Sequence, residues 1–235
     1  MEIDKKSFWE NKIIGWENIR YKSVSNNQSF FEKFVNKTNK TLIFRLKTAL
    51  EILKPIVKNK KVVELGCGSG FLAKEIIKSG ATSYTGYDIS ENAISRAINL
   101  SKQNNYQEKS SFFSKSILET PLLDADYVFS LGLTDWLDDN ELNHLFKISK
   151  NSDNLHSISE DKKSFSQLLH KAYVFLSYGR KTKGYAPRYL KSEKISELIK
   201  NNTEKEVFEY RNKHMSFGLF LSTFPINQNN FSDKK

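Results

Sequence analysis

A ten-residue stretch, VVELGCGSGF from Val62 to Phe71, constrains this chain more than anything else in it. Three glycines, Gly66, Gly68 and Gly70, stand at alternate positions directly after a short apolar run. The run reads as a buried strand, and the segment that follows, FLAKEIIKSG, as a helix stopped at Gly80. A strand that feeds a helix through a glycine turn presents backbone N–H groups and a helix N-terminus at the carboxyl edge of a sheet. Glycine is needed there because a Cβ would bar the close approach of a ligand. Phe71 stands where a dinucleotide fingerprint has its third glycine, and no Lys-Ser/Thr pair follows as in a phosphate-binding Walker loop. Glu64, within the strand, puts a carboxylate where burial is expected, which calls for a ligand with an ammonium group or for donors close by.

From Lys61 onward, strand and helix patterns alternate. SYTGYD reads as the second strand and SENAISRAINLSKQNN as the helix after it, with Ser90 as its N-cap. SFFSKSI is a third strand and DYVFSLGL a fourth; DDNELNHLFKIS is a helix and NLHSISE a fifth strand. Such alternation predicts an α/β fold, doubly wound, with a mostly parallel sheet covered on both faces. EVFEYRN and SFGLFLSTF are expected to close the sheet as an antiparallel hairpin, and NQNNFSDKK reads as a frayed tail. Upstream, Leu42, Ile43, Leu46, Leu50 and Leu53 recur at helical spacing until Pro55. Phe165, Leu168, Leu169, Ala172, Phe175 and Leu176 share one helical stripe, read as a face packed on the core, with a membrane-surface helix as the alternative.

Charge says less than its sum suggests. The chain of 235 residues has a formal net charge of +10, but 31 of its 37 basic residues are Lys and only 6 are Arg. Readers of nucleic acid lean on Arg for bidentate contacts, so no nucleic-acid partner is expected. The charge is also divided: +7 over residues 1–60, −3 over 61–150 and +6 over 151–235. No apolar run is long enough to span a membrane, and the N-terminus lacks the apolar core of a secretory signal. Cys67 is the only cysteine, which excludes a disulfide framework and a thiol metal cluster; a cytoplasmic protein without metal is expected.

With these residues in order, VVELGCGSG resembles the first motif of the class I S-adenosylmethionine-dependent methyltransferases, of the ubiquinone and porphyrin type. The resemblance implies a Rossmann-like, seven-stranded sheet ending in an antiparallel hairpin, with S-adenosylmethionine as the cofactor. It implies that Glu64, Gly66, Cys67, Gly68 and Gly70 bind the cofactor. Asp88, at the tip of the second strand, would accept from both ribose hydroxyls, beside Ile89; capping the next helix is its alternative role. FSKSILETP resembles the segment facing the adenine, where the family carries an acid and this chain has Ser116, followed by Ile117. DADYVFSLGLTDWL resembles the fourth strand and its loop, with Leu131 beneath the methionine moiety.

In that loop related enzymes carry an acid–histidine pair, and here Asp135-Trp136 stands in its place. Asp135 is therefore expected to bind the acceptor or take its proton, with His156 as a second base. Trp136 is read either as an aromatic wall or as packing. The Asn/Asp-Pro-Pro-aromatic signature of base-amine methyltransferases is missing. Between the fifth strand and the hairpin, residues 171–194 hold seven basic groups, one acid and four tyrosines, so Tyr178, Arg180 and Arg188 are expected at an anionic acceptor; a solvated surface is the plain alternative. Residues 1–58 are expected to form a helical N-terminal lid, with Tyr21 and Arg20 facing the site, and residues 59–235 the methyltransferase domain, with a basic insertion over about 161–200. The expected reaction is methyl transfer to oxygen or nitrogen of a small, anionic metabolite, sugar or lipid precursor. An RNA methyltransferase and an inactive cofactor-binding partner subunit are the rivals.

Overall fold

The computed structural model describes residues 3–21, 43–162, 164–177, 182 and 184–226. Seven strands form one sheet: β1 Lys61–Leu65, β2 Ser83–Asp88, β3 Ser110–Ser114, β4 Tyr127–Leu131, β5 Asp153–Ser159, β6 Phe208–Arg211 and β7 Gly218–Ser222. Their order is β3-β2-β1-β4-β5-β7-β6. The first five are parallel, and β7 inserts antiparallel between β5 and β6. The helices are α1 Lys5–Tyr21, α2 over 43–53, α3 Ala73–Lys78, α4 Glu91–Gln103, α5 Asp139–Ile148, α6 Phe165–Ser177 and α7 Ser192–Thr203.

The period-two geometry of a strand explains why β1 must lie between two layers. Val62 packs with Ile52 and Leu53 of α2, Ile76 of α3 and Ile94 of α4. Val63 and Leu65 point the other way, towards Leu142 and Leu145 of α5 and Ile195 and Ile199 of α7. Caps fix where the helices begin. The Ser90 hydroxyl accepts from Ala93 N–H at 3.1 Å. Asp138 and Glu141 form a reciprocal capping box at 2.9 and 2.8 Å, which orients the first turn of α5. Helix α7 was not expected, although Ile195, Leu198 and Ile199 carry its helical spacing.

The face of α6 differs from the expectation. Phe165, Leu168, Leu169, Phe175 and Leu176 are all exposed, while Val174 and Gln167 face the protein. Gln167 Nε2 donates to Glu160 O at 2.6 Å and so seats the polar side of the helix inward. The apolar stripe is turned out because the inner positions are already taken.

Strand order reverses between β1 and β4, and there a parallel sheet splays its outgoing loops apart to leave a crevice.

Candidate active site

The crevice is a cleft of about 820 Å³, counting its open mouth, above the carboxyl ends of β1, β2 and β4. Gly66, Asp88, Ile89, Ser116, Ile117 and Leu131, all expected from the sequence at a cofactor, line it. The glycine turn is held to β2 by Gly66 N–H and Cys67 N–H, which both donate to Tyr87 O at 2.8 and 3.0 Å. Gly66 has φ +72°, and a Cβ on it would come within 3.0 Å of Leu133 Cβ in the loop after β4. Asp88 accepts from Gly68 N–H at 2.8 Å and Ser90 N–H at 3.0 Å. Burial nevertheless pushes its carboxyl up to about 6, against those backbone donors.

The other members of the glycine stretch lie behind the cleft rather than on it. Glu64 is 5% exposed, and Tyr84 Oη donates to its carboxyl. Burial pushes the Glu64 carboxyl up to about 8, and Asp88 and Glu17 add to the rise. Cys67 is buried, its thiol pushed up by burial, and a Cβ on Gly86 would collide with its sulfur. A Cβ on Gly70 would meet the Phe112 ring. Gly68, at φ +51°, meets a residue the sequence did not single out, because a Cβ there would collide with Oε1 of Glu17.

Glu17 belongs to α1, which lies across the cleft as one of its walls. Lys5, Trp9 and Ile13 of that helix line the cleft at successive four-residue steps, which places them on one face. Glu17 continues the same face. Its carboxylate accepts from Ser69 N–H at 2.8 Å and from the Ser69 hydroxyl, and Arg96 Nη1 lies 3.5 Å away. Burial pushes the Glu17 carboxyl up. At the other end, Lys5 Nζ lies 2.7 Å from Glu141 and 3.1 Å from Asp138, at the start of α5. Between them Glu10 accepts from Asn92 N–H at 3.0 Å. The sequence signal for this wall was the spacing of Lys5, Trp9, Ile13 and Glu17, but nothing local says what such a face covers. The side chain of Tyr21, expected on this wall, lies outside the described residues, as does that of Arg20.

Opposite the glycine turn the wall is aromatic. The Trp136 ring lies 4.7 Å from that of Trp9 and 5.3 Å from that of Tyr185. Trp9 Nε1 donates to Tyr185 Oη at 3.0 Å. Trp136, Trp9 and Tyr185 all line the cleft, so of the two readings of Trp136 it takes both, wall and packing. Ser116, at the far end, is bound to a carboxylate three residues on: its N–H and hydroxyl both donate to Glu119 Oε2 at 2.8 Å.

Three of the expected residues lie off the cleft in this structure. Asp135 is 5% exposed and turned inward, accepting from Ser159 N–H and Oγ at 2.7 Å each, with Arg45 Nη1 at 3.9 Å. His156 is fully buried in β5, its ring between Ser130 Oγ at 2.9 Å and Asn154 Oδ1 at 3.1 Å, and burial depresses it to about 3. Both are absent from the described lining of the cleft. Arg188 is likewise occupied: its guanidinium donates to Leu137 O and pairs with Asp139, and its N–H donates to Asp135 O. Tyr178 and Arg180 lie outside the described residues. No group of three or more metal-ligating side chains occurs among the described residues.

Comparisons with known proteins agree with this layout. Residues 62–151 match a family model described as a methyltransferase domain. A ribosomal protein L11 methyltransferase of Haemophilus influenzae (strain PittEE) is 40% identical over 57 residues, 24% of this chain; the chain covers 19% of that relative's length. The magnesium protoporphyrin IX methyltransferase of Synechocystis PCC 6803, solved with bound SAH, superposes with a TM-score of 0.67 at 15% identity, over 92% of this chain and 96% of that one. An O-methyltransferase family protein of Burkholderia thailandensis superposes with a TM-score of 0.58 at 11% identity, over 93% and 69%. The stretch that the family model picks out, 90 of the 235 residues, runs from β1 to just past α5, the half of the sheet that builds the cleft, and over it the chain is similar to methyltransferase domains.

Proposed function

We propose that the chain transfers the methyl group of S-adenosylmethionine to oxygen or nitrogen of a small acceptor held between α1 and the loop after β4. The observation that supports this best is the pairing in one cleft of Asp88 at the tip of β2 with the aromatic wall of Trp9, Trp136 and Tyr185.

The cleft fits the cofactor on its own chemistry. A carboxylate has about four acceptor sites, and Asp88 meets the N–H groups of Gly68, Ser90 and Ile89, which leaves acceptor capacity for a ribose hydroxyl. Ile89, Ile117 and Leu133 supply apolar flanks for a flat base, with Ser116 at the edge. When bound, S-adenosylmethionine supplies a methyl group already activated on a sulfonium. Alignment then carries most of the catalysis, and a dedicated base is not required. Trp136, Trp9 and Tyr185 orient the acceptor by ring contact, while α1 excludes water from above. Lys5 lines the acceptor end, where Glu141 at 2.7 Å and Asp138 at 3.1 Å already meet its charge, so it anchors α1 over the acceptor.

The test is transfer of label from methyl-tritiated S-adenosylmethionine into fractions of a host extract, with Asp88→Ala as blank. Label in a small-molecule fraction supports the proposal. Label in RNA, or cofactor binding without any transfer, overturns it in favour of an RNA methyltransferase or an inactive cofactor-binding subunit.

A further inference from the structure

We propose that α6 is a membrane-docking helix whose outer face seats on an anionic lipid bilayer. The proposal stands whether or not the acceptor reading above holds.

The first ground is the direction of the apolar stripe. Phe165 is 75% exposed, Phe175 70% and Leu176 79%, and with Leu168 and Leu169 they are five of the nine large exposed apolar side chains of the described residues. At 100° per residue, these positions and Ala172 cover an arc of about 120°, the width that a helix normally reserves for its core face. Among the described residues nothing covers that face, and the opposite side of the helix is already seated. Val174 is buried against Trp136, Gln167 donates to Glu160 O, and His170 Nδ1 lies 2.6 Å from Tyr189 Oη. Each large side chain buried from water contributes about 1.5–3 kcal/mol, so a stripe of five left in solvent is a cost that contact with an apolar phase removes.

The second ground is charge, and it selects the phase. From residue 160 to residue 194 the sequence holds nine basic residues and three acidic ones, a net of +6, with Lys162 paired to Glu160 at 3.0 Å and Lys171 to Asp161 at 3.2 Å. Lys162 and Lys163 precede the helix, Lys171 lies within it, and Arg180, Lys181 and Lys183 follow within six residues of its end. An apolar stripe flanked in the sequence by a net positive charge suits the interface of a bilayer that contains acidic lipids, where each nearby Lys or Arg adds to binding. A helix of this length, about 20 Å, is too short to span, and no described helix is long and apolar enough to cross a membrane, so the contact is with the surface. The inner side of α6 backs the aromatic wall through Val174 and Tyr173, so a docked bilayer would lie about one helix diameter, ~10 Å, from the acceptor end of the cleft.

Co-sedimentation of the purified full chain with phosphatidylcholine vesicles, with and without about one third phosphatidylglycerol, tests this. Binding is expected only to the anionic vesicles, and it should weaken as salt is raised. The double substitution Phe175→Glu, Leu176→Glu should lower the partition at least roughly tenfold. Its melting temperature and its affinity for S-adenosylmethionine should stay at the wild-type values, which separates loss of docking from loss of folding. Failure of the wild type to bind either vesicle overturns the proposal, as does equal binding by the double variant. A wild type that sediments as a dimer, becomes a monomer on the double substitution and ignores both vesicles also overturns it, and assigns the stripe to a second copy of the chain.

Discussion

Asp88, the last residue of β2, and Asp135, in the loop after β4, are both carboxylates at the carboxyl edge of the sheet, and their surroundings set them apart. Asp88 opens on the cleft and retains acceptor capacity, so Asp88→Ala is expected to weaken S-adenosylmethionine binding at least tenfold, about 1.4 kcal/mol or more, by calorimetry. Its carboxyl sits near 6 in the fold, so affinity in the wild type should rise as pH climbs through that value and the anion forms. Asp135 instead answers a buried Arg45, whose Nη2 also donates to Ser159 Oγ at 3.2 Å. Asp135→Ala leaves that guanidinium without its partner charge and is expected to cost about 3–5 kcal/mol of stability, read from urea unfolding, rather than to act on chemistry in the folded fraction. A loss of turnover with unchanged stability would restore Asp135 as a base. Glu64 gives a pH signature of its own. Its folded carboxyl, near 8, lies above the ordinary value of 4.5, so the fold holds that proton more tightly than the unfolded chain does. The stability this gives is fully present below pH 4.5 and is lost as pH rises towards 8. Glu64→Gln should therefore flatten the fall of melting temperature over that window, by about 5 °C or more.

At the scale of elements, α1 closes the cleft through polar contacts at both ends: Glu17 on the glycine turn, and Lys5 on the capping box of α5. Hydrogen bonds to a charged group contribute about 1.5–3 kcal/mol each, and Glu17 accepts two from Ser69. Glu17→Ala is expected to speed amide exchange across residues 5–21 by roughly tenfold or more, with β1 and β4 unchanged. Equal protection in the variant would show that ring contacts, of Phe8 with Trp136 and Tyr185 at 5.8 and 5.2 Å and of Trp9 with Trp136, hold the helix alone. The element reading from sequence was sound where period and punctuation were local. The glycine turn, the Ser90 cap and the alternating strands each announce themselves within ten residues. It failed for α6, whose stripe is the same whether it faces a core or the solvent, because period fixes which residues share a face and not what that face meets. It missed α7 because a short helix of moderate apolar content stood in a segment read for its charge.

Over the whole molecule, the reversal of strand order between β1 and β4 converts separate motifs into one site. The sequence by itself determined the sheet, the glycine turn and the six cleft residues from Gly66 to Leu131, because each depends on a backbone conformation or a side-chain period that near neighbours impose. It could not tell Asp135 and His156 from residues on the cleft. Their types suit a base, one in the loop after β4 and the other in β5, but burial is a property of everything packed around them. Only the tertiary structure set Glu17 against Ser69, 52 positions away, turned Asp135 towards Arg45 and Ser159, and faced the α6 stripe outward. The physical reason is range. Local sequence fixes dihedral preferences and the direction of side chains about one element, whereas exposure, desolvation and charge pairing depend on contacts between residues far apart in the chain, and those contacts exist only once the elements have packed.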